Sequence, residues 1–315
     1  MIEDIPLQPD KVTYSPDDTI RIKVTNKCPF QCEFCHHEGS ARTQDMVLDS
    51  GLIDALDKLR RVMNLTQAHL TGGEPTAYPQ CTQLIKRLKS MGFIVKMTSN
   101  GQFPSSMLKK LKSSGLESIN FSIHTLSPIR LGALQRFTKD FEWGTKALLR
   151  QLKNLKAAQA LGLKVKINTV IQHDSDIFDI MSFCKAQAVE LRILDDLSPN
   201  SLSIQKIVET LSSIRAVFQG INITDGASGY SYDVISEDGF KFRVKGIRKN
   251  LLRSLCGDCH VRSTCTEWYY GLRLEQSNNT TMIRLCLHRQ EHPAVQTLQE
   301  FFHSEQYREL TAKCS

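Results

Sequence analysis

Thr19-Ile20-Arg21-Ile22-Lys23-Val24-Thr25-Asn26-Lys27-Cys28-Pro29-Phe30-Gln31-Cys32-Glu33-Phe34-Cys35 is the stretch on which the fold turns. Its first half alternates apolar and polar side chains, as a strand with one buried face does. Its second half is a loop with three cysteines spaced C-x3-C-x2-C. The loop follows the strand directly, so the cysteines fall at a strand carboxyl end, where α/β barrels assemble their active sites. A [4Fe-4S] cluster needs four ligands, and three thiolates from one loop leave one iron open to an outside molecule. Structural zinc instead favours C-x2-C pairs and a closed tetrahedral shell.

The same rhythm continues outward. From about residue 18 to residue 216, short β-rich segments alternate with longer helical patterns, the order of repeated βα units and a parallel sheet. Six strands are expected, at 19–25, 68–71, 94–99, 118–124, 164–171 and 190–194, with the clearest helix at 146–161. Several strands alternate apolar and polar residues where a fully buried parallel strand would read as one apolar run. If the apolar faces meet outer helices, the polar faces line the interior of a partial barrel. Arg21, Lys23, Lys166 and Arg192 would then converge with Asn168 on a hydrophilic cavity. Such a cavity suits phosphate or carboxylate groups on a substrate, unless these cations pair with buried carboxylates near the barrel floor.

Length, at 315 residues, allows one large α/β domain and a smaller appendage. The 41% hydrophobic and 23% charged content is ordinary for a soluble protein, and no apolar run approaches the roughly 20 residues needed to span a bilayer. Met1-Ile2-Glu3-Asp4 carries no basic and apolar leader, which points to a cytoplasmic protein without a membrane partner. The net charge of +7 is spread without a long basic block, so it implies no nucleic-acid polymer as partner. Cysteines in a reducing compartment serve metals more readily than disulfides. Cys81, Cys184 and Cys314 stand apart and read as ordinary thiols. Cys256, Cys259, Cys265 and Cys286 form a second group, enough for a complete second [4Fe-4S] cluster, with zinc the alternative and His260 and His288 as bystanders. Beyond about residue 220 the rhythm breaks into short segments, so the expected division is 1–220 for the barrel and 221–315 for the cluster domain, joined near Gln219-Gly220.

These motifs, in this order, resemble the radical S-adenosylmethionine superfamily over the first 200 residues. The resemblance implies α/β architecture, a partial (β/α)6 TIM-like barrel with a smaller C-terminal auxiliary iron-sulfur domain. Cys28, Cys32 and Cys35 match the cluster motif, and Phe34 matches the aromatic beside the adenine. Thr71-Gly72-Gly73-Glu74-Pro75 looks like the segment that meets the cofactor's methionine amino group, and Ser99, Asn100, Ser122, His124 and Asn168 resemble its other contacts. The implied chemistry is reduction of S-adenosylmethionine by the cluster and hydrogen abstraction by the resulting 5′-deoxyadenosyl radical. An external electron donor of flavodoxin or ferredoxin type is also implied.

Within the superfamily the chain is similar to the GTP 3′,8-cyclase group of molybdenum cofactor biosynthesis. The likeness rests on Ile20–Thr25, on Asn120-Phe121-Ser122-Ile123-His124-Thr125, on Val165-Lys166-Ile167-Asn168-Thr169-Val170 and on Gly271-Leu272-Arg273-Leu274. It makes Arg21 and Arg273 candidate substrate contacts. Gly271 stands where the group has an arginine, the chain ends Ala312-Lys313-Cys314-Ser315 without a diglycine, and Cys265 adds a fourth cysteine where the cyclases keep three. The expectation is therefore a paralogue acting on a small anionic substrate such as a nucleotide, nucleoside or sugar acid. The alternatives are the GTP cyclase itself, a peptide-maturing radical enzyme and a non-enzymatic iron-sulfur scaffold.

Overall fold

The computed structural model describes residues 11–40, 44–197 and 203–312. Cys314 and the end of the chain lie outside this set. Thirteen strands join one sheet: β1 (Val12–Ser15), β2 (Thr19–Lys23), β3 (Gln67–Thr71), β4 (Ile94–Ser99), β5 (Leu116–Ser122), β6 (Lys164–Val170), β7 (Glu190–Leu194), β8 (Val217–Thr224), β9 (Gly229–Ile235), β10 (Lys241–Ile247), β11 (Arg273–Ser277), β12 (Thr280–Arg284) and β13 (Val295–Thr297). Their order is β1-β8-β9-β10-β7-β6-β5-β4-β3-β2-β11-β12-β13.

β2 to β7 are the six expected strands, parallel and adjacent in chain order. Their apolar faces form the core: Ile20, Ile22, Leu70, Met97, Phe121, Ile167 and Leu191 are all fully buried. Helices cover this face. In Ser50–Val62, Asp49 accepts a hydrogen bond from Leu52 N at 2.8 Å and caps the start, while Leu52, Leu56 and Leu59 bury one stripe. The helix expected at 146–161 begins earlier, at Phe141, capped by Asp140, and ends before Gly162, whose φ of +70° supplies the left-handed stop. β5 starts and ends two residues before its expected bounds, which leaves His124 on the loop beyond the strand.

The chain after residue 216 extends the sheet at both edges. β10 pairs parallel to β7, and β11 pairs parallel to β2. The expected joint at Gln219-Gly220 lies inside β8, so the change of sequence rhythm there marks no break in the sheet. Six strands separate β10 from β11 in the sheet order. Even so, Lys245 of β10 and Arg273 of β11 both stand over the ring of Tyr270, at 4.6 Å and 5.4 Å from its centroid. The sheet is therefore curled into a barrel-like wall whose two sides meet at Tyr270. No helix among the described residues is long and apolar enough to cross a membrane.

Candidate active site

Cys28, Cys32 and Cys35 lie on the loop that leaves the carboxyl end of β2. Burial pushes Cys28 up to about 11 and Cys32 up to about 12, with Cys35 adding to both and Cys28 adding to Cys32. Thiols held together in this way ionise only when a cation joins them, as a metal cluster does. Asn100 Nδ2 donates to Cys28 Sγ at 3.3 Å. Gln135, which the sequence did not single out, reaches Cys32 Sγ at 4.0 Å and receives Gln31 N at 2.7 Å.

The loop after β3 is bound to the cysteine loop through backbone. Gly73 N donates to Thr25 O at 2.7 Å and Glu74 N to Lys27 O at 2.8 Å. A Cβ on Gly72 would stand 2.3 Å from Thr25 O, and one on Gly73 would stand 2.4 Å from Lys27 O. At both glycines the close approach is between the two loops. Glu74 is fully buried and braced. It accepts Ser99 Oγ at 2.8 Å, Asn100 N at 2.7 Å, and Thr76 Oγ1 and N at 2.7 and 3.1 Å. Gln151 and Asn154, on the buried side of the Phe141–Ala160 helix, complete the frame. Gln151 Nε2 donates to Asn100 O and Ser122 O at 2.9 and 3.0 Å, and Asn154 Nδ2 donates to Gly101 O at 2.9 Å.

Phe34 meets His124 edge to face at 4.9 Å. His124 Nδ1 accepts Val170 N at 3.0 Å, and burial lowers its pKa to about 4, so the ring is neutral near pH 7. Asn168 pairs in register with Ser122, and its buried Oδ1 has no hydrogen-bond partner among the described residues. An orphaned acceptor beside Ser122, at the end where the three loops gather, fits a polar ligand with a donor. The donor chemistry of the thiol loop and this open amide both suit a cluster with a bound organic cofactor.

Inside the sheet, the expected convergence of cations is present but most of their charge is spent. Lys23 is buried, and its Nζ donates to His37 O at 2.6 Å and to Ser40 O. There it clamps a turn. Arg21 pairs with Glu38, and Arg273 pairs with Glu267 and lies 3.4 Å from Glu38. Lys166 pairs with Glu190 at 2.7 Å. Against the burial that would raise it, Arg21, with His36 and Arg273, holds Glu38 well below the usual carboxylate range. Burial lowers the pKa of Arg192, with the Glu190 carboxylate opposing and the Arg243 guanidinium adding to the shift. Lys245 and Tyr270, which sequence reasoning missed, join this interior: Lys245 Nζ donates to Tyr270 Oη. Parity along β10 could have found Lys245, had the strand been traced beyond Val244.

Cys256, Cys259, Cys265 and Cys286 line one small pocket with Trp268 and Arg289. Trp268 N donates to Cys265 Sγ at 3.2 Å. Among the described residues, no three His, Cys, Asp or Glu side chains close on a point as a single ion requires. Glu267 links this pocket to the barrel, since it holds Arg273 and also accepts Leu287 N at 2.5 Å. His288 Nε2 lies 3.3 Å from Thr266 Oγ1.

The chain is similar to the GTP 3′,8-cyclase of Aquifex aeolicus, 28% identical over 78% of this chain and 78% of that protein. A cyclase of Nautilia profundicola is 27% identical over 80% and 79%. A probable GTP 3′,8-cyclase of Sulfurisphaera tokodaii is 32% identical over 64% of each chain. Among solved structures, anSMEcpe with bound AdoMet shares the fold at a TM-score of 0.57, with 13% identity over 93% of this chain and 82% of that one. The pattern of the radical SAM superfamily matches residues 22–185, the segment from β2 into the helix before β7 that carries the cysteine loop and its neighbours. The chain thus belongs to the radical SAM superfamily.

Proposed function

We propose that this radical SAM enzyme acts on a small anionic substrate, with one [4Fe-4S] cluster on Cys28, Cys32 and Cys35 and a second on Cys256, Cys259, Cys265 and Cys286 in the segment 221–315. The observation that carries the reading is the gathering of the cysteine loop, the Gly72-Gly73 loop and the Ser99-Asn100 loop at one end of the barrel. When bound, the first cluster supplies the electron that cleaves S-adenosylmethionine, and the cofactor supplies the radical that takes a hydrogen atom from substrate. The chain's own residues hold these groups in place. Asn100 hydrogen-bonds the thiol of Cys28 and tunes it, Asn168 and Ser122 offer polar contacts to the cofactor, and Phe34 with neutral His124 forms an apolar wall for its adenine. A small donor protein of flavodoxin or ferredoxin type delivers the electron.

The relatives favour a second reading, GTP 3′,8-cyclisation. The fourth thiol in the C-terminal pocket weighs against it, because four thiolates complete a cluster's ligand shell and leave no iron for substrate.

Anaerobic reconstitution tests the proposal. Wild type is expected to carry about eight irons and a Cys28/Cys32/Cys35→Ala triple variant about four, with 5′-deoxyadenosine formation lost. Four irons or fewer in wild type, with zinc present and no cleavage, would overturn it.

A further inference from the structure

The geometry points to the segment 129–149, which packs on the outer side of the cysteine loop, as the docking surface for the electron donor, and to a flavodoxin-type protein as its occupant. The inference rests on the radical reading above and deepens it.

The segment is fastened to the loop that carries the first three thiols. Arg136 N donates to Gln31 O at 2.8 Å, Glu33 N donates to Leu134 O at 3.0 Å, and Cys32 bridges to Gln135. On the helix Phe141–Ala160, Trp143 meets Phe30, which lies between Cys28 and Cys32, at 5.4 Å between ring centroids. Ser122 and Asn168, proposed to touch the cofactor, belong to the barrel strands on the other side of the loop. An electron therefore enters across the outer side, where Pro29, Gln31 and Glu33 are exposed beside Arg136 and Phe137.

Composition and charge narrow the partner. Six large apolar side chains are at least 60% exposed among the described residues: Tyr14 and Val217, on β1 and β8, and Ile129, Phe137, Phe141 and Leu149 in this one segment. Phe137 is the most exposed of the six and follows Arg136, whose Nη2 lies 3.4 Å from Nε2 of His37, two residues after Cys35. Aromatic and arginine side chains are the usual anchors of protein interfaces. Around them stand the exposed cations Arg136, Lys139, Lys146, Arg150 and Lys153. The acids of the same face are Glu33, Asp140 and Glu142; Asp140 also caps Trp143 N, and Glu142 pairs with Lys146. Arg130 is taken up by Asp176 and Asp179. Five cations against three carboxylates leave the face positive, which suits an acidic partner. A flavodoxin presents the apolar edge of its flavin at the surface among carboxylates. An apolar anchor in a positive rim fits that edge better than it fits a donor whose redox centre is sheathed in protein.

Anaerobic stopped-flow on the reconstituted full chain tests this. Flavodoxin hydroquinone is the probe, and the rate of its oxidation gives a second-order constant for transfer to the protein. Phe137→Ser is expected to lower that constant about tenfold and Lys139→Glu about fivefold at low salt, the second loss shrinking below about twofold in about 0.5 M salt. Val217→Ser, a comparably exposed apolar position on β8, should leave it unchanged. Dithionite needs no docking surface, so dithionite-driven 5′-deoxyadenosine formation should stay at the wild-type rate in both loop variants. A structural disturbance of the cysteine loop would slow that reaction as well, and such a result would overturn the inference. Flavodoxin rates unchanged in both variants would also overturn it, as would a [4Fe-4S] ferredoxin whose rates fall as far as those of flavodoxin. Calorimetric binding of oxidised flavodoxin to the same proteins reads the docking without any electron transfer, and both variants should weaken it. If wild type makes no 5′-deoxyadenosine with dithionite, the radical reading falls while the binding data still decide the surface, so the two failures are distinguishable.

Discussion

Glu38 follows Cys35 by three residues on a turn in which both His37 and Glu38 take positive φ, 52° and 51°. Non-glycine residues held there cost on the order of 1–3 kcal/mol each, and the surroundings must over-determine them. Lys23 does so by binding the carbonyls of His37 and Ser40. The strained turn aims one carboxylate at two arginines, Arg21 and Arg273, which are register partners on the adjacent strands β2 and β11. Removing it leaves Arg21 without a carboxylate and Arg273 with Glu267 alone, so Glu38→Gln is expected to cost about 3–5 kcal/mol in denaturant unfolding. The pH dependence has a definite sign. Because the native carboxyl titrates well below its unfolded value, the stability it adds is complete above the ordinary carboxylate range, near 4.5, and is lost as pH falls from there toward the native value. Wild type should therefore lose unfolding midpoint on acidification below about pH 4.5 more steeply than Glu38→Gln. Equal slopes would remove Glu38 from that role.

Among the elements, the loops after β2, β3 and β4 behave as one unit because each is hydrogen-bonded to the next. The Gly72-Gly73 backbone lies against residues 25–27, Glu74 ties Ser99 and Asn100, and Asn100 returns to Cys28. Gly72 has φ +138° as well as no room for a Cβ, so its substitution pushes the second loop off the first. Gly72→Ala should halve the iron retained after reconstitution, from about eight to about four, while the far-ultraviolet circular dichroism stays close to wild type. Full iron in that variant would show that the loop contact is dispensable. The glycines, the thiols and Asn100 were visible in the sequence as strand-end motifs. Gln135, Gln151 and Asn154 were not: Gln135 lies beyond the end of a short helix, where only the fold pairs it with Cys32, and a polar residue on a helix, like Gln151 or Asn154, reads as solvent-exposed until the helix is seen to turn that face onto a loop.

At the scale of the molecule, the curl of the sheet brings together segments far apart in the chain. Lys245 of β10 meets Tyr270, Arg273 and Arg21 although six strands lie between β10 and β11 in the sheet order, and Glu267 carries the contact on to the second cysteine pocket. Tyr270→Ala takes away the surface against which both sides rest. Amide hydrogen exchange is expected to speed up in β10 and β11 together and to stay unchanged in β4 and β5 at the middle of the sheet. Faster exchange throughout would mean that Tyr270 supports general stability and not this closure.

The sequence by itself determined the parallel strands, the cysteine loop at a strand end and the radical SAM superfamily, because period-two alternation and cysteine spacing are local and survive without tertiary context. Tertiary structure alone decided which interior cations are free. Parity put Arg21, Lys23, Lys166 and Arg192 on one face equally, yet a cation's availability depends on which carboxylate or carbonyl the fold sets beside it. Glu38 comes from a turn, Glu190 from the neighbouring strand and Glu267 from the approach to β11. Glu38 and Glu190 lie 17 and 24 residues along the chain from the cations they hold, and only the folded turn and the strand pairing set them within hydrogen-bonding distance.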